Sequence, residues 1–383
     1  MTPNPFLGVF LHAIGGFAAG SFYAPLKQVK RWAWESYWLV MGLAAWLAAP
    51  WIVALITATP LVQWLRDDPW HALSHIAGSV VHLTRMLHAS PDRSIQLCIL
   101  FGLLWGLGNL TFGLSVRYLG MALGYSVALG FCMVFGTLVP PIYDGLTGTA
   151  ADWQRLVVLF TLTPGQTTLA GVGVCLAGIG LCGLAGMCKE KELSDEQKKE
   201  AVQEFALGKG FAVATISGIL SACFAFGLAA GKPIADVAVK SGTEPLFSNN
   251  PVLVVILIGG FFSNAVWCLI LNARNRSFKD YVTGPATQQV RNYFLAALAG
   301  VIWYGQFFFY GMGTTKLGEE YGFSSWSIHM AFIIVFSSLW GIAFREWRGT
   351  SGKTKTLVWV GILTLIASTM VIGYGNYLAS AKG

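Results

Sequence analysis

Long, charge-poor apolar runs alternate with short polar punctuation ten times along the chain. Runs such as 253–273, 292–315 and 356–381 contain no Asp, Glu, Lys or Arg. Each exceeds the ~20 residues a helix needs to cross a ~30 Å hydrocarbon layer. They are continuous, unlike the alternating ~10-residue segments of an outer-membrane barrel, so the pattern predicts helices. The predicted spans are about 6–25, 36–65, 94–116, 118–143, 165–187, 210–231, 251–273, 292–315, 326–344 and 356–378.

Composition excludes a soluble fold: of 383 residues, 55% are apolar and 11% charged, against roughly a quarter charged in soluble domains. The expected fold class is an all-α integral membrane protein, surrounded by membrane lipids. The net charge of +7 does not point to nucleic acid, because the basic residues sit at the ends of apolar runs, where they set orientation. Of the 25 Lys and Arg, 17 fall in the five odd-numbered loops and 8 in the tails and even loops. That bias places the odd loops in the cytoplasm and both termini outside, in a bacterial inner membrane. None of the seven cysteines forms a CxxC pair, so neither a disulfide framework nor a zinc site is expected. No cofactor is expected. Residues 1–26 hold no Lys or Arg to make a signal-peptide n-region, and the first run is read as a retained span.

Two polar connections carry their own signals. In 189–209, Ser194 and Gln197 form a capping-box pattern for a short cytoplasmic helix. In the outer loop 66–93, Asp68 and Pro69 read as N-cap and first helical residue. Leu73, Ile76, Ala77, Val80, Thr84 and Leu87 then share one face of a helix lying on the membrane surface. The opposite face carries His71, His75 and His82, read as a solvated polar face and not a metal site.

The chain repeats itself. A shift of 198 positions lays Gly102, Trp105, Gly113, Leu119, Gly120, Gly124 and Ser126 on Gly300, Trp303, Gly311, Leu317, Gly318, Gly322 and Ser324. A shift of 202 lays Gly8, Ile14, Gly16 and Phe22 on Gly210, Ile216, Gly218 and Phe224. The organisation read from this is a first five-helix repeat, 1–188, the charged linker 189–209, and a second repeat, 210–383. Five spans is an odd number, so the second copy enters the membrane from the opposite side. Inverted repeats build alternating-access carriers with a substrate site near the midplane. The competing explanation is chance likeness between glycine-rich helices.

Ionisable groups inside spans are costly and usually functional. Clear of the predicted span ends there are two, His12 and His329, both placed toward the outer side. An imidazole is suited to load a proton on one side and release it on the other. The competing reading is that each ring merely bonds a neighbouring carbonyl. Tyr23 shares the His12 face, and Ser325 shares the His329 face. Trp105, Asn109 and Phe112 line one face of the third span, and Trp303, Gln306 and Tyr310 one face of the eighth. Side-chain amides donate to and accept from hydroxyls, and aromatic rings pack on C–H faces. With no charged cluster at mid-span, these residues suit a neutral, hydroxyl-rich ligand, although the same residue types also anchor and tie helices. Lys27, Lys30 and Arg31 read as inner anchors, and Arg117 as reaching the cytoplasmic interface. Lys232, Glu319 and Glu320 read as gating or plain loop residues. The glycines of the fifth span read as helix-packing positions.

The segments FYAPLKQVKRWAWESYW (22–38), GNLTFGLSVRYLGMALGYSVALG (108–130) and GKPIADVA (231–238), with WYGQFFFYGMG and SSWSIHMAF, resemble the bacterial L-rhamnose/proton symporter family of the drug/metabolite transporter superfamily. The likeness runs nearly end to end. It implies proton-driven uptake of L-rhamnose, with protons and the sugar as partners, and it leaves a homodimer open. The alternative within transport is a metabolite exporter or exchanger of the same superfamily. A membrane enzyme would need a nucleophile, metal or carboxylate set inside the spans, and the sequence offers none.

Overall fold

The computed structural model describes residues 3–192, 207–317, 322–345 and 347–381, and among these the side chains of all but 113, 116, 117, 119–123, 125, 126, 190 and 207. Ten helices are long and apolar enough to cross a membrane: α1 (Pro5–Leu26), α2 (Trp34–Ala58), α3 (Asp92–Phe112), α4 (Val127–Thr147), α5 (Thr163–Lys189), α6 (Gly208–Lys240), α7 (Pro245–Asn275), α8 (Ala286–Leu317), α9 (Gly322–Ala343) and α10 (Gly352–Ser380). The ten-span reading of the sequence holds, and the chain is a multi-pass membrane protein. Ser194, Gln197, Glu319 and Glu320 lie outside the described residues, as does the side chain of Arg117.

Helical backbone runs unbroken from Asp92 to Thr147, although the sequence predicts two spans there. The packing shows that the chain reverses within it. Ser217 donates to the Gly108 carbonyl at 2.9 Å. The next residue, Gly218, lies so close to Ala128 that a Cβ would come within 2.5 Å of its carbonyl oxygen. A straight helix would separate positions 108 and 128 by ~30 Å, so α3 and α4 double back on each other.

The chain divides into two compact units, one of Met1–Gly20, Leu107–Ala225 and Gly313–Gly383, the other of Ser21–Gly106 and Phe226–Met312. The first unit is held by backbone-close helix pairs. Lipid is as apolar as leucine, so close approach at small residues drives helix association. A Cβ on Gly171 or Gly178 of α5 would strike Ile372 or Leu365 of α10, and one on Gly361 or Gly375 of α10 would strike Cys182 or Thr168. Gly173 and Gly180 differ from the expectation: a Cβ on either would meet nothing within 4 Å.

In the second unit, Gly102 and Gly259 bring α3 against α7, and Gly300 brings α8 against Met41 and Ala45 of α2. The surface helix Ala72–His88 buries Leu83 and Met86 with Ala54, Ala58, Ala238 and Val254. Leu73, Ile76 and Val80 stay exposed, as a helix lying on a membrane requires. Its start corrects the sequence reading. Asp68 makes no side-chain cap; its carboxylate meets His71 Nδ1 at 2.6 Å, and Pro69–His71 forms a 3-10 turn. His75 is not simply solvated either, since its Nε2 meets the Asp68 carbonyl at 3.0 Å. Among the described residues no three metal-ligating side chains converge. Helix α6 outruns its predicted end, continuing from an exposed Lys232 to Lys240.

Candidate functional site

The first unit contains both histidines singled out from the sequence. His12 of α1 and His329 of α9 are fully buried, with ring centroids 6.1 Å apart and planes inclined by 57°. Glycine brings them together. A Cβ at Gly16 would sit 2.3 Å from Phe332, and one at Gly20 2.9 Å from Phe336, so α1 can lie against α9 only because both positions lack a side chain. Gly313 shapes the pocket around His12, because a Cβ there would stand 3.0 Å from His12 Nε2.

The first turns of α9 are tied down on several sides. Trp326 Nε1 donates to the Cys132 carbonyl at 3.1 Å, and its ring stacks on Phe224. Thr137 and Ser327 share a hydrogen bond of 2.7 Å, and Asn376 donates to Ser324 at 3.0 Å. This frame fixes the backbone that carries His329, whose ring lies 6.4 Å from that of Trp326. One turn before His329, Ser325 is fully buried, and its hydroxyl meets no hydrogen-bond partner among the described residues. Asn109 is half-buried, beside Gly108 where α3 meets α6.

The second unit holds an aromatic cluster. Trp105 and Trp303, the pair equated by the 198-residue shift, lie in ring contact at 5.6 Å. Trp46 meets both edge-on, at 5.9 Å and 5.6 Å, and also meets Trp38 at 6.1 Å. From there the contacts extend to Trp34 and Tyr23 in one direction and to Phe307 and Tyr310 in the other. Trp105, Trp303, Gln306 and Tyr310 are all buried, whereas Tyr23 is 43% exposed. Edge-to-face contacts of this kind add ~0.5–1.5 kcal/mol each beyond burial.

Two features of the cluster escaped sequence reasoning. Trp46 lies in a π-helical turn, Leu43–Ala48, a rare local rewinding that is often found at functional sites and has no sequence signature. Asn264 of α7 accepts from Trp38 Nε1 at 3.2 Å and donates to the carbonyls of Gly260 and Gly106, at 2.9 and 3.4 Å. As one of two amides inside the apolar run 253–273, with Asn272, it was visible in the sequence. A third omission is Glu35, only 4% exposed, which accepts from Asn275 at 2.9 Å and Ser277 at 2.6 Å. It lies one residue before the predicted second span, whereas the helix starts earlier, at Trp34.

A buried imidazole pair in one unit and an aromatic cluster in the other suit proton handling and neutral-ligand contact, respectively. A family model described as L-rhamnose-proton symport protein (RhaT) matches residues 1–379. The chain belongs to the L-rhamnose-proton symport protein family. The L-rhamnose-proton symporter of Mannheimia succiniciproducens is 33% identical over 371 residues, which cover 96% of this chain and 97% of that protein. The proteins of the same name from Salmonella paratyphi A and Yersinia pestis are each 34% identical, with the same coverage. The family is one of transporters, not enzymes.

Proposed function

We propose that this chain imports L-rhamnose with a proton by alternating access across the bacterial inner membrane, with His12 and His329 as the proton-handling groups. The observation that carries the coupling is the closeness of two fully buried rings in one unit. Two imidazolium charges 6.1 Å apart would repel by about 3 kcal/mol at an effective dielectric of ~20. The pair therefore works as one site for one proton. Carrying that charge inward gains ~2.3 kcal/mol per 100 mV of membrane potential.

For the sugar, the reading assigns Trp105, Trp303, Gln306, Tyr310 and Tyr23 of the second unit, where ring faces and an amide meet. Within the first unit, the Ser325 hydroxyl and the Asn109 amide offer polar partners. Contact between the repeat-related Trp105 and Trp303 is what a twofold duplication predicts, and it supports the reading of two inverted five-helix repeats. The charge bias of the loops supports outward termini. In vesicles with an imposed proton gradient, rhamnose should alkalinise the outside, and His12→Gln or His329→Gln should reduce gradient-driven accumulation more than downhill exchange. Normal accumulation by both single variants across the pH range would remove the histidines from the mechanism.

A further inference from the structure

Where α9 gives way to α10, the chain forms an open hollow of about 350 Å³ whose lining includes Arg345, Arg348 and Lys355 together with Trp347, Trp359 and the buried Val358. The three cations are exposed, and a fourth, Lys189, stands over the Trp347 ring at 5.1 Å. Glu192 attracts Lys355 and so offsets part of this charge, but its carboxylate is also tied elsewhere. Its carboxylate accepts from the Ser351 amide at 2.6 Å and from the Ser351 and Thr354 hydroxyls at 2.7 Å each. By sequence, 345–355 holds four Lys and Arg against the single acid Glu346. Arg345 also occupies a left-handed backbone conformation, φ 60°, which disfavours any residue with a side chain by ~1–2 kcal/mol. Holding an arginine there sets its guanidinium at the rim where α9 ends.

We propose that this hollow binds the phosphate of an anionic phospholipid headgroup. Guanidinium groups engage phosphate bidentately, and tryptophan favours the level where headgroup meets hydrocarbon. What selects a lipid over a free anion is the surface that continues from the hollow. Trp359, Leu363 and Met370 of α10 are 46%, 62% and 67% exposed, an apolar track along which acyl chains can lie while the phosphate is held. The hollow belongs to one of the loops that the charge bias assigns to the cytoplasmic side, and it is independent of the sugar and proton groups.

The test is binding of phosphatidylglycerol to the full-length protein in detergent, read by native mass spectrometry and thermal shift, against phosphatidylcholine and inorganic phosphate. With ~1 kcal/mol per cationic contact, Arg348→Gln combined with Lys355→Gln should weaken phosphatidylglycerol binding about thirty-fold and leave phosphatidylcholine binding unchanged. Should the double variant fail to fold, Arg348→Gln alone should weaken it about fivefold. Equal phosphatidylglycerol affinity in wild type and variant overturns the proposal. So does a thermal shift reproduced in full by inorganic phosphate and lost in the variant, because the site would then take free anions.

Discussion

Asn264 is the point at which the aromatic cluster can be loosened without touching a ring. Its side chain is 1% exposed, and the Trp38 side chain it holds is 5% exposed. Asn264→Leu preserves the volume but leaves the Trp38 indole N–H buried with no partner for its 3.2 Å bond. An unsatisfied buried donor costs ~1–3 kcal/mol. Trp38→Phe removes the donor, so in the Asn264→Leu background this second change should cost less than it does alone. Unfolding titrations of the two single variants and the double variant give the coupling energy, expected at ~1 kcal/mol or more. Because Trp38 touches Trp46, Trp34 and Tyr23, Asn264→Leu should also raise the rhamnose concentration for half-maximal uptake. The pH profile of uptake, set by the histidines in the other unit, should stay in place. Additive energies, with coupling below ~0.5 kcal/mol, would show that the amide does not hold the indole. A shifted pH profile would refute the separation of sugar and proton roles.

Gly313→Ala would push a methyl to 3.0 Å from His12 Nε2, 3.1 Å from His12 Cδ2 and 3.0 Å from the Gly8 carbonyl oxygen. Overpacking of this kind costs ~1–3 kcal/mol, so the variant should melt earlier and lose accumulation before downhill exchange; wild-type accumulation would show that His12 has room to move. Hydrogen bonds from Thr354 and Ser351 hold the Glu192 carboxyl below the usual carboxylate range. A lowered folded-state value means that this tie stabilises the protein above the ordinary carboxylate pKa and is lost as pH falls through the lowered one. Protection of the amides at 351–354, taken relative to the intrinsic exchange rate at each pH, should therefore fall at acid pH in the wild type and be low at neutral pH in Glu192→Gln; equal protection in both at neutral pH would refute it.

The spans were legible because a bilayer demands uninterrupted apolar length, and that demand is written residue by residue, as in 253–273. His12 and His329 were legible for the converse reason, since an ionisable group in such a run has few roles other than a functional one. Their 6.1 Å approach was not legible: it depends on Gly16 and Gly20 meeting Phe332 and Phe336 more than 300 positions away, and one sequence does not record which glycine faces which helix. The same limit explains the fifth span, where Gly171 and Gly178 pack while Gly173 and Gly180 face open space. Trp46 shows a different limit. Counting helical faces assumes 3.6 residues per turn, and the π-helical turn at Leu43–Ala48 breaks that count where three tryptophans converge on a fourth. Glu35 shows the last, because a boundary error of two residues was enough to hide a buried carboxylate. Reading function from such a chain therefore rests on its rare polar residues, and the two amides and two imidazoles of Asn264, Gln306, His12 and His329 carry more information than the long apolar runs that hold them.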